Sequence, residues 1–366
     1  MKDNPEFDAV IIGAGIAGLS IADALMGKGY KCAIIDKNTP GSGASGAPKM
    51  LINPATGRRA KMSLDSDRAL PEITSLLKRV QASTDEIIYE KNGVIRPALD
   101  AKIASDFENS PGKYDWPSGW ISWLNKREFT KKYPCFKTNH GGLIISEGLT
   151  VNGKLFIDKL SKLLTKNGLK PYYNSGFSYS FSQDSWSILI NNSVSLSARC
   201  LIFAGGYSLT KDENWKFLEL HPIKGQTAEF TFNEPLPFHS SVSSLGYMAY
   251  MSHEPDKLVV GSTYEHHFDH FEPDSEGLDY LKGKLEKTLP GWSDKIIEVK
   301  QWSGIRVTTR DKKPVIGQHP QHKGVYIFGG LGSKGMLLGR YCAGILSDYI
   351  VNGEQIPTEL SIQRFV

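Results

Sequence analysis

The sequence predicts an α/β protein in which a Rossmann-type nucleotide-binding unit is combined with an α+β domain on a mixed, mainly antiparallel sheet. Three observations lead to this prediction. Residues 7–36 read as strand, glycine turn, helix and strand. Residues 222–304 are rich in short β-type runs and contain one helix-like segment. From Val325 onward the chain returns to strand, glycine loop and helix.

The N-terminal unit carries a complete dinucleotide-binding pattern. Phe7 to Ile12 is the near-continuous apolar run of a strand buried on both faces, and Leu19 to Met26 has helical apolar spacing. G-x-G-x-x-G lies between these two segments, and a second apolar run, Cys32 to Ile35, ends in Asp36. The glycines would make a tight turn, admit a pyrophosphate and let the helix pack on the strand, while the acid would accept hydrogen bonds from ribose hydroxyls. The full context therefore predicts a dinucleotide site.

The composition narrows the class of protein. The chain has 366 residues, of which 40% are hydrophobic and 22% charged, with a formal net charge of +4. This mild excess of positive charge permits an anionic partner without requiring one. The four cysteines are scattered, so neither disulfides nor a zinc site are expected. Neither a secretory signal nor a membrane-spanning apolar run is found, and a cytoplasmic protein is expected.

Three further glycine-rich segments suit close contact with a ligand. Residues 40–48 form a loop of small residues directly after the acid, although a flexible linker is the alternative interpretation. The strand-like run Leu201 to Phe203 ends in Ala204-Gly205-Gly206. Residues 329–335 form a glycine loop that enters a helix and so offers a second anion site.

With these segments in order, the chain resembles the D-amino-acid-oxidase-like family of FAD-dependent oxidoreductases, which includes glycine and sarcosine oxidases. The resemblance runs from residue 7 to about residue 350. It is carried by GAGIAG with Asp36, the GSGASG loop, the final glycine loop and the segments 201–208, 222–226, 261–264, 303–306 and 311–317. Within the family the chain is most similar to the FAD oxidoreductase domain of the bifunctional tRNA 5-methylaminomethyl-2-thiouridine biosynthesis enzymes, through segments 246–247, 261–264, 309–314 and 332–335.

The resemblance implies FAD as the cofactor and two interleaved domains. The FAD would be non-covalent, because no cysteine lies between Gly304 and Gly317, where covalent-flavin relatives place one. Residues 1–86, 142–221 and 297–366 would form the Rossmann-type FAD-binding domain, and residues 87–141 and 222–296 the substrate domain. The residues assigned to the cofactor are Gly13, Gly15, Ile16, Ala17, Gly18, Asp36, Lys37, Gly43, Ala44, Ser45, Gly46, Ala204, Gly205, Gly206, Gly304, Gly332, Ser333, Lys334, Gly335 and Met336.

The resemblance also assigns the catalytic residues. Arg306 would bind the substrate's carboxylate, with a structural ion pair as the alternative, since a guanidinium suits that planar anion. Tyr247 would lend a hydroxyl to the same carboxylate, with a core aromatic as the alternative. Lys334 would lie by the flavin pyrimidine and favour the anionic reduced ring. Lys49 either faces the flavin or is solvated. The sequence shows no convincing general base, and hydride transfer from a neutral amine does not require one.

The resemblance leaves several functions open. The first is oxidation of 5-carboxymethylaminomethyluridine at the tRNA wobble position to the aminomethyl form plus glyoxylate. In that case tRNA would contact basic patches at Arg58, Arg59 and Lys61 or at residues 126–132, and a separate methyltransferase could be a partner because that half of the bifunctional enzyme is absent. The alternatives are an oxidase of free glycine, sarcosine or D-amino acids, a pyridine-nucleotide dehydrogenase, and a non-catalytic flavin-binding protein that binds RNA. A metal site at His266, His267 and His270 is not favoured, because only His266 and His270 have helical spacing.

Overall fold

The computed structural model describes residues 5–136, 138–182 and 185–366. The α-helices in these ranges are α1 Ile16–Met26, α2 Ser66–Gln81, α3 Ala101–Lys113, α4 Lys126–Lys132, α5 Gly153–Lys166, α6 Ser275–Thr288 and α7 Gly335–Asn352. The strands are β1 Phe7–Ile12, β2 Cys32–Ile35, β3 Met50–Ile52, β4 Ala55–Thr56, β5 Lys61–Met62, β6 Tyr89–Glu90, β7 Val94–Pro97, β8 Ile121–Leu124, β9 Gly142–Ile145, β10 Leu149–Val151, β11 Lys170–Tyr172, β12 Phe177–Ser182, β13 Ser185–Ile190, β14 Val194–Phe203, β15 His221–Phe232, β16 Ser241–Ser243, β17 Tyr247–Ala249, β18 Lys257–Gly261, β19 Ile296–Thr308, β20 Val315–Gln318 and β21 Val325–Gly329.

The first large sheet contains the N-terminal unit. Strands β11, β2, β1, β14 and β21 pair in parallel, and β13, β12 and β20 add antiparallel edges. All four residues of β2 are buried, as the continuous apolar run requires for a strand covered on both faces. Helix α1 is buried along nearly its whole length, and it packs together with α2, α5 and α7 in one apolar cluster. This arrangement brings the carboxyl ends of β1, β14 and β21 to one edge, where ligands bind in open α/β sheets.

The second large sheet is mixed and mainly antiparallel, as predicted. Its order is β19-β15-β18-β17-β16-β7-β9-β8, and only the β16–β7 pair among these described strands is parallel. Helix α6 packs on this sheet against a separate apolar cluster. The long β15–β19 ladder aligns Gly225 with Gly304 and Ile223 with Arg306. Gly304 and Arg306 are two residues apart on β19 and therefore lie on the same face of that strand.

Sheet membership does not follow the predicted domain boundaries at two places. Strands β9 and β19 fall in segments that the sequence assigned to the FAD-binding domain, yet both lie in the second sheet. The boundaries themselves stay a prediction. No helix in the described ranges is long and apolar enough to cross a bilayer. The four cysteines are free thiols, and Cys32, Cys200 and Cys342 are buried.

Candidate active site

A cavity of about 1490 Å³ lies between the two large sheets. One wall is formed by the turn after β1, the loop at residues 41–47, the end of β14 and the loop after β21. The opposite wall is formed by β17, the end of β18, β19 and two residues of α6, Tyr280 and Lys284. Pockets for drug-sized ligands measure roughly 300–1,000 Å³. The larger volume leaves room for a dinucleotide and a substrate together.

The glycine turn at the start of α1 is closed by backbone contacts that leave no room for a side chain. Gly13 has φ +107°, and a Cβ placed on it would lie 2.6 Å from the carbonyl oxygen of Ala204. A Cβ on Gly18 would lie 1.8 Å from the carbonyl oxygen of Gly13. These contacts hold β14 and α1 against the turn, so the amide groups at the helix N-terminus border the cavity.

Two side chains fix the turn from outside it. The Asp36 carboxylate accepts hydrogen bonds from the amides of Ala14, at 2.7 Å, and Asn38, at 2.8 Å. The Ser45 hydroxyl accepts a hydrogen bond from the amide of Ile16, at 3.0 Å. The Asp36 carboxylate therefore orders the turn as well as bordering the cavity, and it keeps acceptor capacity for a hydroxyl.

The structure brings the residues assigned to the cofactor together, with two exceptions. Gly18 and Gly46 do not line the cavity; both lie beneath it in close backbone contacts, and a Cβ on Gly46 would approach Gly41 O to 1.9 Å. The residues that do line it are Gly13, Gly15, Ile16, Ala17, Asp36, Lys37, Gly43, Ala44, Ser45, Ala204, Gly205, Gly206, Gly304, Gly332, Ser333, Lys334, Gly335 and Met336.

The donor groups fit FAD. A Cβ on Gly335 would lie 3.3 Å from Ile16 Cγ2, so the N-termini of α7 and α1 lie close together at the cavity. The first turn of a helix leaves backbone amides without intrahelical partners, and such amides suit a pyrophosphate and the carbonyl oxygens of a flavin ring. The residues of the first wall would hold the dinucleotide, and the second wall would face the reactive end of the cofactor.

Arg306 is held at the second wall by polar and aromatic neighbours. Its guanidinium donates to the Ser262 hydroxyl at 3.1 Å and to the Thr263 carbonyl at 3.0 Å. It lies 4.4 Å from the centre of the Tyr264 ring. A Cβ on Gly225 would lie 2.6 Å from Nη2, so glycine at that position makes space for the guanidinium. Within the described residues no carboxylate forms an ion pair with Arg306, which argues against the structural ion pair.

Tyr247 lies beside Arg306 in the same wall. Its register partner across β17 and β18 is Gly261, and a Cβ there would come within 2.4 Å of the tyrosine ring. Burial raises the pKa of the Tyr247 hydroxyl, while the charge of Arg306 opposes that rise. The phenol therefore stays protonated at neutral pH and can donate a hydrogen bond to an anion.

Lys334 lines the cavity at the start of α7. Its ammonium donates to the carbonyl oxygen of Lys312 at 3.2 Å. Burial lowers the pKa of Lys334, and the carboxylate of Asp311 opposes that effect. The side chain thus places a positive charge on the first wall.

Lys284 also lines the cavity and was not found from the sequence. It lies on α6, is 6% exposed, and donates to the carbonyl oxygen of Ser262 at 2.7 Å. Burial and, secondarily, the charge of Arg306 lower its pKa to about 8. A lysine in an amphipathic helix is normally interpreted as part of the solvated face. The sequence therefore contained no signal for the buried position of Lys284.

Lys49 neither faces the cavity nor is solvated. It is 2% exposed, and its ammonium lies 2.8 Å from Glu254 and 3.5 Å from Glu229. Lys49 precedes β3, Glu229 lies on β15 and Glu254 follows β17. The ion pairs therefore tie the loop after the glycine segment to the second sheet.

The ion pair between Lys49 and Glu254 predicts that the stability of the fold is sensitive to acid. Burial alone would raise the pKa of Glu254, but Lys257 and Lys49 outweigh it and hold the value at about 2, below the ordinary 4.5. The unfolded chain binds more protons over that range, so the stabilisation is present above pH 4.5 and is lost as pH falls toward 2. We expect Glu254→Gln to lower the free energy of unfolding at neutral pH by about 2 kcal/mol and to flatten its fall in acid.

Urea unfolding from neutral to acidic pH measures this effect. Glu213→Gln is the matched control, since Glu213 is 77% exposed in its ion pair with Lys216 and its loss should change stability little. An unchanged acid dependence in Glu254→Gln would contradict the prediction.

The two predicted basic patches, at residues 58–61 and 126–132, differ in their position relative to the cavity. Arg58 is exposed and lines the cavity, and Arg59 and Lys61 are exposed beside it in the chain. The basic residues of α4 are exposed and do not line the cavity. His266, His267 and His270 are exposed as well, and the described residues contain no cluster of three metal-ligating side chains.

Comparisons with known proteins agree with this geometry. The profile of the FAD dependent oxidoreductase family matches residues 8–349. The tRNA 5-methylaminomethyl-2-thiouridine biosynthesis bifunctional protein of Thiobacillus denitrificans is 24% identical over 97% of this chain, which spans 58% of that relative's length. Glycine oxidase of Geobacillus kaustophilus is 23% identical over 95% of the chain and 94% of its own length.

Solved structures show the same fold. The crystal structure of glycine oxidase from Geobacillus kaustophilus superposes with a TM-score of 0.82 at 20% identity, covering 96% of each chain. Iminodiacetate oxidase from Chelativorans superposes with a TM-score of 0.77 at 23% identity, covering 98% of each chain. The predicted fold class, cofactor and enzyme class are therefore confirmed, while the roles of individual site residues and the non-covalent attachment stay predictions. The chain belongs to the D-amino-acid-oxidase-type family of FAD-dependent oxidoreductases, which act on C–N bonds.

Proposed function

We propose that this enzyme oxidises the C–N bond of a carboxymethyl-bearing secondary amine, and that the amine is 5-carboxymethylaminomethyluridine in tRNA. The products are the aminomethyl base and glyoxylate. The observation that carries the proposal is Arg306, a guanidinium in the cavity wall whose described partners are a hydroxyl, a carbonyl and an aromatic ring rather than an acid. Such a group binds a carboxylate with a favourable charge-assisted pair of hydrogen bonds.

The residues of the second wall would orient the substrate. Arg306 and Tyr247 hold the carboxylate, which fixes the adjacent methylene carbon toward the first wall. FAD, when bound, supplies the acceptor for the hydride that leaves this carbon. The amine nitrogen then forms a double bond to the same carbon, and one water hydrolyses that imine to the primary amine and glyoxylate. Lys334 contributes positive charge on the opposite side of the cavity.

The relatives support two substrates for the same chemistry. The name of the Thiobacillus denitrificans protein includes tRNA 5-methylaminomethyl-2-thiouridine biosynthesis, and the similarity covers nearly all of this chain. Glycine oxidase supports the second candidate, a free amino acid, because this chain covers 94% of its whole length. A free glycine and a carboxymethylamino arm present the same carboxylate and the same methylene carbon, so the two differ only in what is attached to nitrogen.

The tRNA proposal has three further parts: a surface that contacts RNA, a partner enzyme and a cellular location. tRNA would contact the exposed basic residues near Arg58, a separate methyltransferase would act on the aminomethyl product, and the enzyme would work in the cytoplasm. Phosphate contacts release counterions, so turnover of tRNA should fall steeply with salt whereas turnover of a free amine should not. Equal salt dependence for both substrates would oppose a phosphate contact.

Peroxide release by the FAD-loaded protein tests the substrate. The assay compares tRNA carrying 5-carboxymethylaminomethyluridine with free glycine, sarcosine and D-alanine under oxygen. We expect turnover with the modified tRNA and appearance of glyoxylate in equal amount. Turnover confined to a free amino acid, with tRNA inert, would reject the tRNA proposal and support the second candidate. tRNA binding without turnover of any amine would indicate a non-catalytic flavin-binding protein.

A further inference from the structure

Lys284 is a buried cation that faces the cavity without an anionic partner. Its ammonium donates to the Ser262 carbonyl at 2.7 Å and lies 4.4 Å from the centre of the Tyr280 ring. Lysine is almost never buried unless it is paired. In the described part of the chain no carboxylate comes within ion-pair distance of Lys284. An uncompensated ammonium at a cavity wall indicates an anionic ligand.

Ser262 connects Lys284 with Arg306. Lys284 binds the carbonyl oxygen of this residue, and Arg306 binds its hydroxyl at 3.1 Å. The two cations therefore occupy one end of the cavity, and each raises the free energy of charging the other. A carboxylate between them would offset both the repulsion and the loss of hydration.

The other ionisable groups around Lys284 do not supply a negative charge. Lys224 on β15, the strand packed against α6, is already paired with Glu265 and Asp274 at 3.3 Å each. Burial raises the pKa of Tyr247, so that phenol stays neutral. Besides Lys284, the ionisable residues between positions 247 and 306 that line the cavity are Tyr247, Tyr264, Glu272, Tyr280 and Arg306, and the Glu272 side chain is 79% exposed and lies 4.0 Å from His270.

We propose that Lys284 and Arg306 together form a two-cation site for the substrate's carboxylate, and that Lys284 takes up a proton when the carboxylate binds. The inference rests on the proposed function in assigning the carboxymethyl group to this end of the cavity. Uptake occurs at alkaline pH, where Lys284 is neutral in the free protein: the proton comes from solvent and forms a new N–H bond at Nζ, so a site with one charge becomes a bound site with two. Arg306 provides the other positive charge of the site.

The consequence is a pH-dependent affinity. Lys284 has a pKa of about 8 in the free cavity, so above that pH it is mostly neutral before the ligand arrives. Protonation then accompanies binding, and affinity should fall about tenfold in total as pH rises from about 8 to about 9, beyond which it should level off. Below the pKa of Lys284 the site is already charged, and affinity should level off.

Acetate is the probe, because it has a carboxylate and no amine and therefore cannot be oxidised. Its binding to the FAD-loaded protein is followed by the change in flavin absorbance and by calorimetry in two buffers of different ionisation enthalpy. We expect uptake of about 0.4 proton per acetate at about pH 9 and almost none at about pH 6. Lys284→Gln should bind acetate about tenfold more weakly at the lower pH, without proton uptake at the higher one.

Three variants separate this role from a structural one. Lys284→Arg carries a permanent charge and should bind acetate without uptake and without loss of affinity above about pH 8. Lys287→Gln, on the exposed side of the same helix, should behave as the wild type. Uptake that persists in Lys284→Gln, or that disappears in Lys334→Gln instead, would overturn the assignment.

The acetate experiment does not depend on which amine is the substrate. Proton uptake with acetate, together with absent turnover of tRNA and free amines, would reject the proposed function and leave the two-cation site standing. Acetate binding without proton uptake would reject the role of Lys284 while leaving Arg306 as the carboxylate ligand. Failure of acetate to bind at any pH would reject both.

Discussion

Replacing Arg306 by methionine should lower kcat/KM for a carboxymethyl amine by about 10³-fold, and replacing it by lysine should lower kcat/KM by about 10²-fold. A buried charge pair that loses one partner forfeits roughly 2–5 kcal/mol, and each 1.4 kcal/mol is a factor of ten. Lysine keeps the charge but loses the planar fork that contacts Ser262 and Thr263 on one side and leaves N–H groups for a carboxylate.

The expected loss should reside in substrate binding and orientation rather than in the cofactor. Both variants should keep their FAD, measured by the visible absorbance of the purified protein, because Arg306 lies on the second wall of the cavity. Arg310→Met is the matched control, since Arg310 is exposed and does not line the cavity. Near-normal kcat/KM in Arg306→Met would show that the carboxylate binds elsewhere.

Gly18→Ala should abolish FAD retention and destabilise the fold by about 3 kcal/mol, as overpacking at a fixed backbone does. The added Cβ would lie 1.8 Å from the carbonyl oxygen of Gly13, whereas real Cβ atoms stay beyond 3.0 Å. The obstacle is backbone, so relief requires α1 to move away from β1. That movement carries the helix N-terminus, and with it the pyrophosphate donors, out of position.

FAD content after purification and the midpoint of thermal unfolding measure this effect. Gly283→Ala is the control: this glycine lies in α6, a Cβ there meets no atom within 4 Å, and alanine favours a helix by about 1 kcal/mol. A Gly18→Ala protein that stays yellow with an unchanged midpoint would contradict the proposed role of this contact.

Local patterns predicted most of the elements that build the first sheet. Strand β2 has the predicted bounds, Cys32 to Ile35, because an unbroken apolar run between polar residues can only be a buried strand in that context. Helix α3 was not predicted. It contains Pro111 and Gly112 near its end and buries only Phe107 and Ser110, so its apolar pattern is weak even though Asp100 caps its N-terminus.

The sequence by itself determined the family, the cofactor and the N-terminal glycine turn, because that turn and its closure of Gly18 on Gly13 lie within one βα unit. Only the tertiary structure decided which lysines are buried. Lys284 depends on Ser262 and Arg306, and Lys49 on Glu229 and Glu254, all brought near by strand pairing over long sequence separations. The periodicity of apolar residues indicates the local backbone conformation. Whether a charged side chain is buried depends instead on residues that lie far away in the sequence and that the fold brings next to it.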